Sequence, residues 1–167
     1  MAKGEHLTFA PGMLDDTPLK DVHELVMASL DEGVRCPCCT KLAMRYGRVL
    51  GSVMTRVLVT AYRIHGTEWF YMEKLCKKMK IRTGDATKVR FWGLIEKDES
   101  GDRSRPSGGS GWYRVTEAGG DFVDRKLTVP RKAHIFDNKL HFFSDDMTDV
   151  DVALGDHFDR DELMGGA

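Results

Sequence analysis

Asp85-Ala86-Thr87-Lys88-Val89-Arg90-Phe91-Trp92-Gly93-Leu94-Ile95 leads into an apolar stop, and Trp112-Tyr113-Arg114-Val115-Thr116 follows it across a loop. In the first piece Ala86, Val89 and Trp92 recur on one side. A short helix is therefore predicted over Asp85 to Trp92, with Gly93 as its stop. Leu94 to Glu99 reads as a strand and Trp112 to Val115 as the strand that returns beside it. Ser100 to Gly111 is a Gly/Ser/Pro loop carrying Arg103 and Arg105.

Upstream, Met54, Val57, Leu58, Ala61, Tyr62 and Ile64 keep helical spacing between a capping Ser52 and a terminating Gly66. Trp69-Phe70-Tyr71 is a short strand, and Met72, Leu75, Cys76 and Met79 then give a second helix ending at the turn Thr83-Gly84-Asp85. The order helix, short strand, helix, turn, helix, strand, loop, strand describes a winged helix-turn-helix domain over 52–132, in an α+β chain. In such a domain the third helix projects into a major groove about 12 Å wide and the hairpin loop reaches phosphates or the minor groove. On that geometry Arg82, Thr83, Thr87, Lys88 and Arg90 face outward on or near the third helix. The start of that helix is expected to offer free N–H groups to phosphate. Lys77 and Lys78, with Lys74 and Lys80, border the turn, and Arg103 and Arg105 lie in the loop tip.

Two extensions flank this core. Residues 1–33 hold one helix, with Thr17 as cap, Pro18 in first position, a face of Leu19, Val22, Leu25, Val26 and Leu30, and Gly33 as its end. Residues 34–51 are Cys-rich, then basic, and read as irregular. Residues 133–167 hold a hairpin, His134-Ile135-Phe136 and Leu140-His141-Phe142 around Asp137-Asn138, followed by an acidic tail.

The net charge of −1 conceals a segregation: Val34 to Lys132 carry 21 Lys and Arg against 10 Asp and Glu, whereas the 33 residues before them sum to −5 and the 35 after them to −7. A basic middle favours a polyanion, although balanced, solvated faces have the same arithmetic. Double-stranded DNA is the expected partner of the basic face. The alternative is an adaptor that binds a host or viral protein, such as a polymerase subunit or a defence factor. The tail, punctuated by Val152, Leu154, Phe158 and Leu163, is expected either to lie over the basic surface around Lys77, Lys78 and Lys88 or to dock a protein. Its acids lack the Gly and terminal Glu of a calcium loop.

Cys36-Pro37-Cys38-Cys39 contains one C-x-x-C pair, Cys36 and Cys39, whose spacing lets two thiolates hold one structural zinc from a tight turn. Plain reduced thiols and a redox pair are the other readings, and the rest of a zinc ligand set is left open. No Ser/His/Asp or Cys/His arrangement has a local signature, and Gly108-Gly109-Ser110-Gly111 lacks the Lys-Ser/Thr ending of a phosphate loop, so no enzyme is expected. The apolar content of 41% comes without a run near 20 residues, so no membrane span is expected. Nor do the first residues resemble a secretion signal, and the cytoplasm, of a host cell if the protein is viral, is the expected compartment.

Trp92-Gly93-Leu94-Ile95 and Tyr113-Arg114-Val115-Thr116-Glu117-Ala118-Gly119 make the stretch from Ser52 to Val123 resemble the winged helix of the multiple-antibiotic-resistance regulator class. Those regulators show a Gly-Leu-hydrophobic step there and a Leu-Thr-x-x-Gly step after the wing. The long terminal helices with which they dimerise have no counterpart here, and the oligomeric state stays open. Over its whole length the chain resembles an uncharacterised phage and bacterial protein family. The resembling stretches are Cys36 to Cys39, Lys88 to Ile95, Gly111 to Thr116, Phe122-Val123, Ala153 to Gly155 and Glu162 to Met164. That resemblance implies a viral or mobile-element origin, and a phage or prophage regulator is the expectation that follows.

Overall fold

The computed structural model describes residues 6–9, 16–100, 102, 104 and 110–165. The chain is α+β. Its elements are α1 (Leu19–Ala28), β1 (Val34–Arg35), β2 (Leu42–Ala43), β3 (Tyr46–Val49), α2 (Ser52–His65), β4 (Phe70–Tyr71), α3 (Met72–Met79) and α4 (Thr83–Ala86). A 3₁₀ segment (Thr87–Trp92) continues α4 and leads to β5 (Ile95–Lys97), β6 (Trp112–Val115) and α5 (Glu117–Val123). The last elements are β7 (Val129–Pro130), β8 (Lys132–Phe136), β9 (Lys139–Phe143), β10 (Met147–Thr148), α6 (Val150–Leu154) and α7 (Arg160–Leu163). Four small sheets form, with strand orders β1-β2, β3-β8-β9, β4-β6-β5 and β10-β7.

Two compact units are present, one of Met1–Gly47 with His134–His141, the other of Arg48–Ala133 with Phe142–Ala167. In the first, α1 begins one residue later than the sequence suggests: Pro18 is its N-cap and no side chain caps it. It also ends before Gly33, at the C-cap Ser29, and Gly33 takes a φ of +81° in the following turn, with its N–H on Ser29 O at 3.0 Å. Residues 34–51, expected to be irregular, instead contain a hairpin: β1 and β2 pair antiparallel with Val34 opposite Ala43 and Arg35 opposite Leu42. The strands are two residues long, so there was no alternation in the sequence to reveal them. Leu7 joins as a parallel bridge to Val34, and Val22, Leu30 and Val34 are buried. The expected turn of the last hairpin is present: Asp137 and Asn138 both have positive φ (47° and 58°), as a two-residue type I′ connection requires.

In the second unit α2 is the central element. Thr55, Val57, Leu58, Val59, Thr60 and Ala61 are all buried, a wider buried surface than the single apolar face read from the sequence. The reason is that α2 packs against α3, α4, the 3₁₀ segment, β6, α5, α6 and α7 together. A helix surrounded by partners loses its solvent face. Ile64, counted with the apolar face, is 42% exposed. The helix starts at Ser52, the proposed cap itself, so the N-cap is Gly51, one residue earlier, and it ends at Gly66 as expected, with φ +57°.

The sheet beside α2 pairs Phe70 with Tyr113 and Tyr71 with Trp112, and Ile95, Glu96 and Lys97 with Val115, Arg114 and Tyr113. It closes on α5 through one side chain. Thr116 Oγ1 accepts the Gly119 N–H at 3.0 Å and donates to Gly93 O at 2.6 Å, while Thr116 N donates to Leu94 O at 3.1 Å. The Gly-Leu step and the Thr-x-x-Gly step of the sequence are therefore the two halves of one hydrogen-bonded joint.

Candidate nucleic-acid interface

The segment expected to be a recognition helix is tighter than an α-helix. Only Thr83–Ala86 is α-helical, and Thr87–Trp92 is 3₁₀. In a 3₁₀ helix residues three apart lie in line. Ala86, Val89 and Trp92 form such a line, and all three are buried. Trp92 anchors it, its indole N–H donating to Pro130 O at 2.6 Å and its ring 6.2 Å from Phe143. The other two lines are Thr87 with Arg90 and Lys88 with Phe91, all partly exposed. The four-residue α4 is too short to supply the dipole and free N–H groups that were expected to hold phosphate.

The basic residues of this region fall into two groups. Lys88 is not a free outward cation: its Nζ lies 2.9 Å from Asp85 Oδ1. Lys88 first, and Arg48 and Arg82 through their charge, hold the Asp85 carboxyl below its ordinary range. Arg48, in β3, is a member of this cluster missing from the sequence reading, because nothing local marks a strand residue as a neighbour of a helix thirty-odd positions away. Thr83 is turned toward the protein, its hydroxyl bonding the buried Cys76 thiol across the α3–α4 turn. Thr87 Oγ1 reaches its own backbone at Gly84 O, 3.4 Å away, and the Arg90 guanidinium lies 5.0 Å from the Phe91 ring.

Lys77, Lys78, Lys80 and Arg82 form the second group. All four are exposed along the end of α3 and the turn, and among the described residues none of the three lysines is in an ion pair. Lys80 itself takes φ +56° as the left-handed cap of α3, where Ile81 N bonds Cys76 O at 2.9 Å. On the hairpin strands Arg114 pairs with Glu96 and stacks 4.8 Å from the Trp69 ring. Arg103 and Arg105 lie outside the described residues.

The acidic tail does not cover Lys77, Lys78 or Lys88. It folds into α6 and α7 against α2, with Val150, Ala153 and Leu154 buried, and two of its carboxylates, Asp151 and Asp161, pair with arginines. Arg125 forks onto Asp151 (2.7 and 2.9 Å) and reaches Asp161 at 3.1 Å. Arg160 bonds Val123 O, Asp124 and Asp161. Of the proposed apolar anchors, Val152 is exposed, whereas the Phe158 ring lies under the Arg56 guanidinium at 4.0 Å.

Cys36 and Cys39 stand at the tip of the β1–β2 hairpin with Cys38 between them. The backbone N–H groups of Cys39 and Cys38 donate to Cys36 Sγ and hold that thiol below its ordinary pKa. Among the described residues no group of three or more His, Cys, Asp or Glu is arranged to hold a metal, and no helix is long and apolar enough to cross a membrane. No protein-family model, curated protein or solved structure matches the chain.

Proposed function

We propose that residues 52–132 are a winged helix-turn-helix domain and that the chain is a double-stranded-DNA-binding protein, a regulator of phage or prophage type. The fold half of the reading rests on element order and on the sheet order β4-β6-β5, in which the strand after the loop lies between the short first strand and the strand before the loop. The DNA half rests on one observation. Lys77, Lys78 and Lys80 stand exposed and without ion pairs among the described residues, while Lys88, Arg114, Arg125, Lys126 and Arg160 of the same unit are paired with acids. Unpaired cations on the turn before a third helix suit phosphate contacts, which position a protein on the duplex.

The test is a salt titration of duplex binding by fluorescence anisotropy. Each phosphate neutralised contributes a slope of about −0.9 in log affinity against log salt. Lys77→Ala with Lys78→Ala is expected to reduce that slope by roughly 2 and to move stability by no more than about 0.5 kcal/mol. An unchanged slope takes α3 out of the interface. No salt-dependent duplex binding at all returns the chain to the protein-adaptor reading.

A further inference from the structure

The cysteine hairpin carries features that neither the DNA-binding surface nor the packing of its unit uses. Cys36, Cys38 and Cys39 all lie on the one turn that joins β1 to β2, and Cys38 and Cys39 are exposed there. Thr40 closes the tip at φ +61°, a left-handed conformation that is uncommon for a β-branched residue. The tip is held by Thr40 N on Cys36 O at 2.8 Å and Cys36 N on Lys41 O at 2.9 Å. Arg35 Nη1 donates to Thr40 O at 3.2 Å and braces the same turn.

Zinc in a structural site takes four ligands in a tetrahedron. All four cysteines and all six histidines of the chain are among the described residues. The fourth cysteine, Cys76, is buried in α3 and bonded to Thr83. His6 is bonded to Glu32 O, and His141 stands edge-on to Phe136. With no third ligand arranged beside the pair among the described residues, a single chain offers two thiolates and half a coordination sphere. Cys39 and Cys38 are exposed, so the tip can be met from outside.

We infer that Cys36 and Cys39 of two copies of this chain bind one zinc ion between them, each copy giving two thiolates. The two hairpin tips then face each other about a two-fold axis, the symmetry by which one surface can complement itself. Each bound thiol gives up its proton to solvent, so binding strengthens as pH rises. The inference does not depend on DNA binding and is tested without DNA.

The full chain, purified in a phosphine reductant, is given excess zinc and desalted. Metal content is read by elemental analysis and mass by light scattering. The expected result is about 0.5 zinc per chain, the ratio of one tetrahedral site to two copies, and a doubling of the 18.8 kDa mass that a chelator reverses. Cobalt(II) in place of zinc is expected to give the visible bands of a tetrahedral thiolate site. Cys36→Ser and Cys39→Ser are each expected to abolish metal retention and dimerisation, whereas Cys76→Ser and Cys38→Ser keep both. Circular dichroism shows that each variant is folded, and if Cys36→Ser is not, Cys39→Ser decides. One zinc per monomeric chain, no retained metal, or a dimer that survives the chelator would each overturn the inference.

Discussion

A Cβ built on Gly119 would lie 2.1 Å from Leu94 O and 2.7 Å from Val115 Cγ1. The obstacle is backbone, fixed by the Thr116 N–H bond to the same oxygen, so it cannot swing aside. On the adjacent Gly120 a Cβ would meet only the Tyr62 ring, at 3.0 Å. The two glycines are neighbours in one helix, yet they are expected to respond differently to alanine. Gly119→Ala is expected to destabilise by roughly 1–3 kcal/mol or more, as overpacking does. Gly120→Ala gains about 1 kcal/mol of helix propensity against a small ring shift and is expected to stay near neutral. Urea midpoints of the two variants check this, and equal losses would mean that the Leu94–Thr116 joint yields. The sequence displayed the Thr-x-x-Gly pattern but not its reason, because the carbonyl that excludes a side chain comes from the other side of the loop.

At the scale of elements, the legible parts were those with their own periodicity or punctuation. α2, α3 and the Asp137-Asn138 turn could be read from apolar spacing and from residues that tolerate positive φ. The 3₁₀ segment was half legible, since apolar residues at intervals of three, Ala86, Val89 and Trp92, carry that period as well as the α-helical one. The β1–β2 hairpin and the β7–β10 pair were not legible, because two-residue strands are fixed by tertiary contacts alone. The tail was misread because its acids dominate its composition, while the residues that seat it, Val150, Ala153 and Leu154, are few. Arg125 lies 26 and 36 positions from Asp151 and Asp161, and Arg160 36 and 37 from Asp124 and Val123, so these contacts could not be read locally. A truncation after Ser144 is therefore expected to damage the fold rather than release a surface. Val150 and Leu154 are 0% and 1% exposed, and burying each contributes about 1.5–3 kcal/mol. The expected loss of roughly 3–6 kcal/mol is a large share of an ordinary domain's stability. Thermal denaturation of the truncated chain measures it, and an unchanged Tm would show that the tail is an appendage.

For the whole molecule, protonation is expected to act in two stages. His65 stacks on Phe70 with centroids 5.2 Å apart, and burial first, then Lys74, hold its pKa below the usual 6.5. Its folded form binds a proton less readily than its unfolded form, so its contribution is present above about pH 6.5 and is lost as the pH falls below that value through the lowered pKa of the folded form. Asp85, Asp146 and Asp161 are held below the usual 3.8 by Lys88, Ser144 and Arg160 respectively. Their contribution persists well below the first stage and is lost only as the pH falls under about 3.8. His65→Phe keeps a stacked ring and is expected to shrink the fall in urea midpoint between about pH 7.5 and 5.5 while leaving the acid stage in place. An identical fall in the variant would assign the first stage to other groups. On the proposed DNA-binding reading, the 3₁₀ segment would also limit how much sequence information one copy could extract from a duplex. Six residues at about 2 Å rise span about 12 Å, and only Thr87, Lys88, Arg90 and Phe91 lie off its buried line. A reading head of that length covers roughly three base pairs, and a three-letter word in a four-letter alphabet recurs about once in 64 positions. On that proposed reading, selectivity in a genome would have to come from several such words at a fixed spacing, read by more than one copy of the chain.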